Sequence, residues 1–162
     1  CWKLPQDPGC VAPVAGAPGA LVLALRDGIY RARAWGGALE RLAPALHDVA
    51  TTRLNDGKCD ALGRLWVGTI YEPRDAARAA LYCLDMQSAA QPALQQMATG
   101  VTTANGLAWS PDAAHLYGAD TPSHTVPRRA FDLAGATLGP PQAFQTFAPK
   151  PPGWQSGAGN CC

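Results

Sequence analysis

A chain of 162 residues with 48% apolar content has the material for one domain core. Its formal net charge is +1 and no basic run exceeds two residues, so a phosphate-binding surface and a nucleic-acid partner are not expected. The longest apolar stretch, "GALVLAL", is far too short to span a bilayer, so no membrane partner is expected either.

The first residue is Cys1, and no charged-then-apolar leader stands at the start of the sequence. Six cysteines, Cys1, Cys10, Cys59, Cys83, Cys161 and Cys162, show no C-x-x-C pair and no zinc-finger spacing. The expectation is a cytoplasmic protein with free thiols. The 17 glycines and 15 prolines point to turns and short strands instead of helices.

In chain order, three stretches share one pattern of strand, loop and strand. They are "GALVLALRDGIYRAR" (19–33), "GRLWVGT" with "AALYCLD" (63–69 and 79–85), and "AHLYGAD" with "TVPRRAFD" (114–120 and 125–132). Their first strands open at Leu21, Leu65 and Leu116, 44 and 51 residues apart. Short strands at such a period predict the blades of an all-β propeller. The turns "DALG" and "SPDAAH" fit tight hairpins, with Asp60 and Asp112 as side-chain turn formers. The stretch "EPRDAARAALYCL" contains Pro73 and reads as a loop excursion. Residues 1–147 are expected to form the propeller portion, and 148–162, "APKPPGWQSGAGNCC", an irregular tail.

Two segments look like loops that lead into inner strands, "TRLNDGKCD" (52–60) and "TANGLAWSPD" (103–112). Asn-Gly turns are common hairpin signals, and each alone is explained as a turn. Together they say more, because Asn55 and Asn105 lie 50 residues apart, about one repeat. That places them at similar heights in adjacent blades. Amide oxygens joined by a carboxylate would seat a hard cation such as Ca²⁺ or Mg²⁺. Arg53 points to the same side as Asn55 in an extended segment and offers planar donors to a polyhydroxylated or anionic ligand. Trp66 and Trp109 read as blade-packing aromatics and Lys58 as a solvated cation. His47, His115 and His124 have no ligand spacing. Neither a G-x-S-x-G elbow nor a Gly-rich phosphate loop occurs.

"RLNDGKCDALGRLWVGT" followed by "NGLAWSPDAAHLYGAD" strongly resembles the regucalcin (senescence marker protein), gluconolactonase and luciferin-regenerating-enzyme family. Its pattern is R-x-N-D-G-K-x-D-x-x-G-R-x-W-x-G-T, then N-G-L-x-W-S-P-D about 50 residues later, and the likeness runs over roughly residues 1–147. The resemblance implies a six-bladed propeller that hydrolyses sugar lactones with one divalent metal ion, Ca²⁺, Zn²⁺, Mn²⁺ or Mg²⁺. It implies Asn105 as a metal ligand and Arg53, Asn55 and Glu72 as substrate contacts. The metal would polarise the lactone carbonyl, and an acidic ligand would serve as base. The two acidic ligands of the family have no counterpart here. There is no G-E-G-P, and Pro152 stands where an Asp is expected. A catalytic acid or base is therefore not assigned.

The expectation is a partial ring of about three blades, weakly active or inactive, whose open strand edges favour self-association. A non-enzymatic propeller-type binding module and a fragment with no independent role are the alternatives. An aryl-ester or organophosphate hydrolase is disfavoured by the polar "RLND" lip.

Overall fold

A computed structural model describes residues 1–86, 92–149 and 151. Of the expected tail, Pro152, Cys161 and Cys162 lie outside the described residues. The described chain is all-β apart from one 3-10 turn at Thr121–Ser123. Three antiparallel sheets follow one another along the sequence. Blade 1 is β1 (Cys10–Pro13), β2 (Leu21–Leu25), β3 (Gly28–Ala32) and β4 (Leu39–Pro44). Blade 2 is β5 (Thr52–Cys59), β6 (Leu65–Tyr71), β7 (Ala79–Leu84) and β8 (Leu94–Val101). Blade 3 is β9 (Ala104–Trp109), β10 (His115–Asp120), β11 (Thr125–Asp132) and β13 (Gln142–Thr146), with the short β12 (Thr137–Leu138) also on β11.

In every blade the strands pair in sequence order, which is the meander of a propeller blade. The first strands β1, β5 and β9 pack side by side, so they form the inner wall. The middle strands are the most apolar. β6 and β7 are buried along their whole length because both sheet faces meet a neighbouring blade. The outer strands β8 and β13 are largely exposed, which is why their "LQQMATGV" and "QAFQT" carry little apolar signal.

The segments 52–59 and 104–109 are not the loops expected from sequence. They are the innermost strands themselves. Each Asn-Gly element is absorbed as a bulge instead of a turn. On β5, Asn55 and Asp56 together face Gly68 of β6, because pairing runs Leu54 to Thr69 and then Gly57 to Val67. On β9, Gly106 and Leu107 face Gly118 of β10, because pairing runs Asn105 to Ala119 and then Ala108 to Tyr117. Gly106 has φ +62, a conformation that suits glycine. The stretch 72–78 is a loop, with Arg74 at φ 59, as the proline indicated.

The seams between blades hold the core. Val22, Ala24 and Ile29 of blade 1 pack with Leu54, Val67 and Tyr82 of blade 2. Trp66 and Leu81 of blade 2 pack with Leu107, Leu116 and Phe131 of blade 3. Trp66 is fully buried and meets Phe131 edge-on, ring centroids 5.4 Å apart. Trp2 and Leu4 cover the other face of blade 1.

Asp60 does more than close a turn. Its Oδ1 accepts the Leu62 and Arg64 amides, and its Oδ2 accepts Arg64 Nε at 2.7 Å and Trp66 Nε1 at 2.9 Å. Arg64 Nη2 then donates to Leu133 O of blade 3. Asp112 is the simpler case, capping its own turn through Ser110 and Ala114.

Burial pushes the thiols of Cys10 and Cys83 up to about 12. Both stay protonated near neutral pH and act as small apolar side chains. Among the described residues Cys1, Cys10, Cys59 and Cys83 are free, and no helix is long and apolar enough to cross a membrane.

Candidate functional site

The two bulges set the site. Each turns an asparagine out of the regular ladder of an inner strand, one blade apart. Asn55 Nδ2 donates to Asn105 Oδ1 at 2.6 Å and to Ala104 O at 3.0 Å. Asn105 Nδ2 donates to Thr121 Oγ1 at 2.9 Å, just past the end of β10. On the other side, Asn55 Oδ1 accepts from Arg53 Nη1 at 3.2 Å, and Nη1 also reaches Leu54 O. The sequence expectation that Arg53, Asn55 and Asn105 share one neighbourhood is met by direct contacts.

Glu72 follows β6 and also comes to this cluster. Its Oε1 lies 3.4 Å from Arg53 Nε. Arg26, in the β2–β3 turn of blade 1, takes the same carboxylate with both terminal nitrogens, at 2.8 and 3.0 Å. The Arg26 hydrogen bond is the main reason the Glu72 carboxyl lies below the ordinary carboxylate range. The polar ladder therefore runs Arg26, Glu72, Arg53, Asn55, Asn105, Thr121, and it touches all three blades.

Three residues of this cluster escaped sequence reasoning: Arg26, Thr121 and Asp56. Arg26 lies in "LRDG", which reads as an ordinary hairpin corner. Asp56 falls within "RLNDG", which reads as a turn. It sits on the β5 bulge and its Oδ2 accepts the Gly106 amide of blade 3 at 2.6 Å. Its identity in "RLND" was visible, but its reach across the seam depends on the bulge. Asp120 is buried and faces inward to backbone, accepting the Thr102 and Thr103 amides.

The other flagged residues do not join. Trp66 and Trp109 pack between blades 2 and 3. Lys58 is exposed. His115 opens β10, with its ring beside that of Tyr117. His124 lines a cleft of about 380 Å³ with Asp120, Thr121 and Phe147, next to the ladder's end.

His47 sits beneath Arg26. Its Nε2 lies 3.0 Å from Arg26 O, so the neutral ring donates there through Nε2–H. Its ring is 6.3 Å from that of Tyr82. Burial lowers its pKa, and the Arg26 charge adds to the effect. Folding thus favours the neutral ring. Stability from this site is intact above the unfolded value of about 6.5 and declines as pH falls toward the lower folded value. Melting midpoints measured from pH 8 to 5 should show this decline, and His47→Gln should flatten it. An unchanged slope in the variant would assign the decline to other groups.

The described residues do not by themselves fit a divalent cation. A hard cation takes six or more oxygen ligands. Asn105 Oδ1 is already bonded to Asn55, Asn55 Oδ1 faces the Arg53 cation, and Asp56 is turned to a backbone amide. Among the described residues no group of three His, Cys, Asp or Glu side chains converges.

A family model described as SMP-30/Gluconolactonase/LRE-like region matches residues 1–158. The chain belongs to this family. It is 38% identical over 156 residues to a 6-deoxy-6-sulfogluconolactonase of Pseudomonas putida, covering 96% of this chain and 51% of that protein. Its fold matches a luciferin-regenerating enzyme with a TM-score of 0.79 at 28% identity, over 90% of this chain and 49% of that one. It also matches regucalcin, a calcium-binding protein of Agrobacterium tumefaciens, with a TM-score of 0.75 over 87% of this chain and 46% of that one. At 22% identity, this second match speaks for the fold alone. The fold is therefore that of the family's β-propeller, of which three blades are described. The chain spans about half the length of the relatives it matches.

Proposed function

We propose that this chain carries the sugar-holding side of a lactone-hydrolysing propeller. The observation that carries the reading is the Asn55–Asn105 amide pair, flanked by Arg53 and Glu72, on the inner strands of adjacent blades. The Arg53 guanidinium and the second N–H of Asn105 are suited to the ring and carbonyl oxygens of a sugar lactone, the Glu72 carboxylate to its hydroxyls, and Asn55 holds Asn105 in place. Being held by neighbours, these groups orient a substrate at low entropic cost. Residues 1–147 form the propeller portion in this reading. Asn105 is the residue we assign to a divalent ion. The described residues supply too few oxygens to hold it, and no catalytic step is assigned to it.

The expected behaviour follows from the donor set. With no convergent acidic group among the described residues, the chain by itself should release acid from D-glucono-1,5-lactone at close to the spontaneous rate. Chelator-sensitive turnover well above that rate would overturn this half of the reading. Binding is the other half. The stable ring analogue 1,5-anhydro-D-glucitol should bind, and Arg53→Ala should weaken it by about tenfold, as the loss of hydrogen bonds to a charged group implies. Undiminished binding by Arg53→Ala, Asn55→Ala and Asn105→Ala would remove the site from the ladder. A sugar-binding module without turnover is the second reading. It is favoured by the same shortage of acidic groups around Asn105 and separated by the same two assays.

A further inference from the structure

We propose that Arg26, which blade 1 contributes, is a positioning residue that sets the Glu72 carboxylate and, through it, the Arg53 guanidinium. The proposal rests on the sugar-holding reading of the ladder. Glu72 is anchored at its backbone, where its amide donates to Thr51 O at 2.9 Å. Its side chain then leaves from an exposed loop that continues into Pro73. A free glutamate there would sample several rotamers, and holding it in one costs entropy. The Arg26 fork removes that freedom. It grips both carboxylate oxygens, at 2.8 and 3.0 Å, and such two-point pairing fixes the carboxylate plane.

Arg26 is itself held at both ends. Nη1 donates to Val49 O at 3.1 Å, and His47 Nε2 lies 3.0 Å from the Arg26 carbonyl. With its plane fixed, Glu72 presents Oε1 to Arg53 Nε at 3.4 Å. Arg53 Nη1 is meanwhile drawn to Leu54 O and Asn55 Oδ1. The Arg53 guanidinium is thus located from two sides, and the far side depends on a residue of another blade.

An incidental surface ion pair is the competing explanation. The Arg26 and Glu72 side chains are 28% and 38% exposed, and a pair so exposed adds little to stability. What the pair supplies is orientation, so fold and site should respond differently to its removal. A lysine at 26 keeps the charge but lacks the fork.

The test reads Arg53 directly by the NMR signal of its Nε–H in the full chain. In Arg26→Gln, hydrogen exchange at Arg53 Nε should speed up by about fivefold, while an exposed pair leaves the melting midpoint nearly in place. Arg26→Lys should restore the charge but not the protection. Glu72→Gln should act on Arg53 as Arg26→Gln does, and the double variant should go no further, because both break one relay. An unchanged Arg53 signal in Arg26→Gln, full protection in Arg26→Lys, or additive effects in the double variant would each overturn the proposal. If Arg26→Gln fails to fold, Arg26→Lys carries the measurement. Failure of 1,5-anhydro-D-glucitol to bind the wild-type chain would strike the sugar-holding reading, and the Arg53 signal would still decide the role of Arg26.

Discussion

Asp60→Ala should cost the folded chain about 3–5 kcal/mol, because removing one partner of a buried ion pair leaves the other charge uncompensated. The Asp60 side chain is 0% exposed and that of Arg64 7%. Four donors converge on this one carboxylate: two backbone amides, Arg64 Nε and Trp66 Nε1. Alanine would strand all four in a place water does not reach. It would also release Arg64 from its direction toward Leu133 O, the bond that ties blade 2 to blade 3. Domains of this kind are stable by about 5–15 kcal/mol in all, so the variant should be largely unfolded or strongly shifted in urea. Trp66 fluorescence is a suitable probe, since its indole N–H bonds to the deleted group. A loss below about 1 kcal/mol would mean that water enters the site and rescues the donors.

Gly68→Ala should be the second most damaging change, and it has a defined remedy. A Cβ at position 68 would lie 2.3 Å from the Ala104 Cβ of blade 3. That is far inside carbon contact distance, and the neighbour is the first residue of β9. Overpacking of this sort costs about 1–3 kcal/mol. The cost falls at the seam of the candidate site, because Ala104 O accepts the Asn55 amide and Asn105 is the next residue. Pushing β9 away should part the two asparagines as well as lower stability. Ala104→Gly alone removes a buried methyl and loosens an inner strand. Gly68→Ala with Ala104→Gly moves the methyl across the seam and should regain most of what Gly68→Ala lost. Two melting curves decide it. A double variant no more stable than Gly68→Ala would show that the Ala104 contact is not the cause.

Much of this arrangement was legible beforehand, and the reasons are specific. The period from Leu65 to Leu116 points to blades because the second strands supply the apolar seams: β2 and β6 are buried over nearly their whole length, and Leu116 of β10 is buried with them. Asn55 and Asn105 could be paired because one blade separates them. The strand identity of 52–59 was hidden, since Asn-Asp-Gly resembles a turn. The bulge shows only in the pairing with β6, where Asn55 and Asp56 face Gly68, 13 residues from Asn55 in sequence. Asp60 was recognised as a turn former, but its capture of Arg64 and Trp66 depends on three-dimensional closure. Arg26 gave no signal, because its partner Glu72 lies 46 residues away in another blade.

Each blade closes through neighbours in the chain, whereas the seams join residues about 50 apart, as Asn55 and Asn105 are, or 69 apart, as Arg64 and Leu133 are. Loop closure over such lengths must precede any reward from the bonds it allows. Hairpins therefore gather first and the blade-to-blade contacts lock afterwards. Interactions made after the rate-limiting barrier slow escape from the native state without hastening arrival. The amide pair at the centre of the site, 50 residues apart, should be of this late kind. The geometry proposed to hold a sugar should then also act as a brake on the chain coming apart.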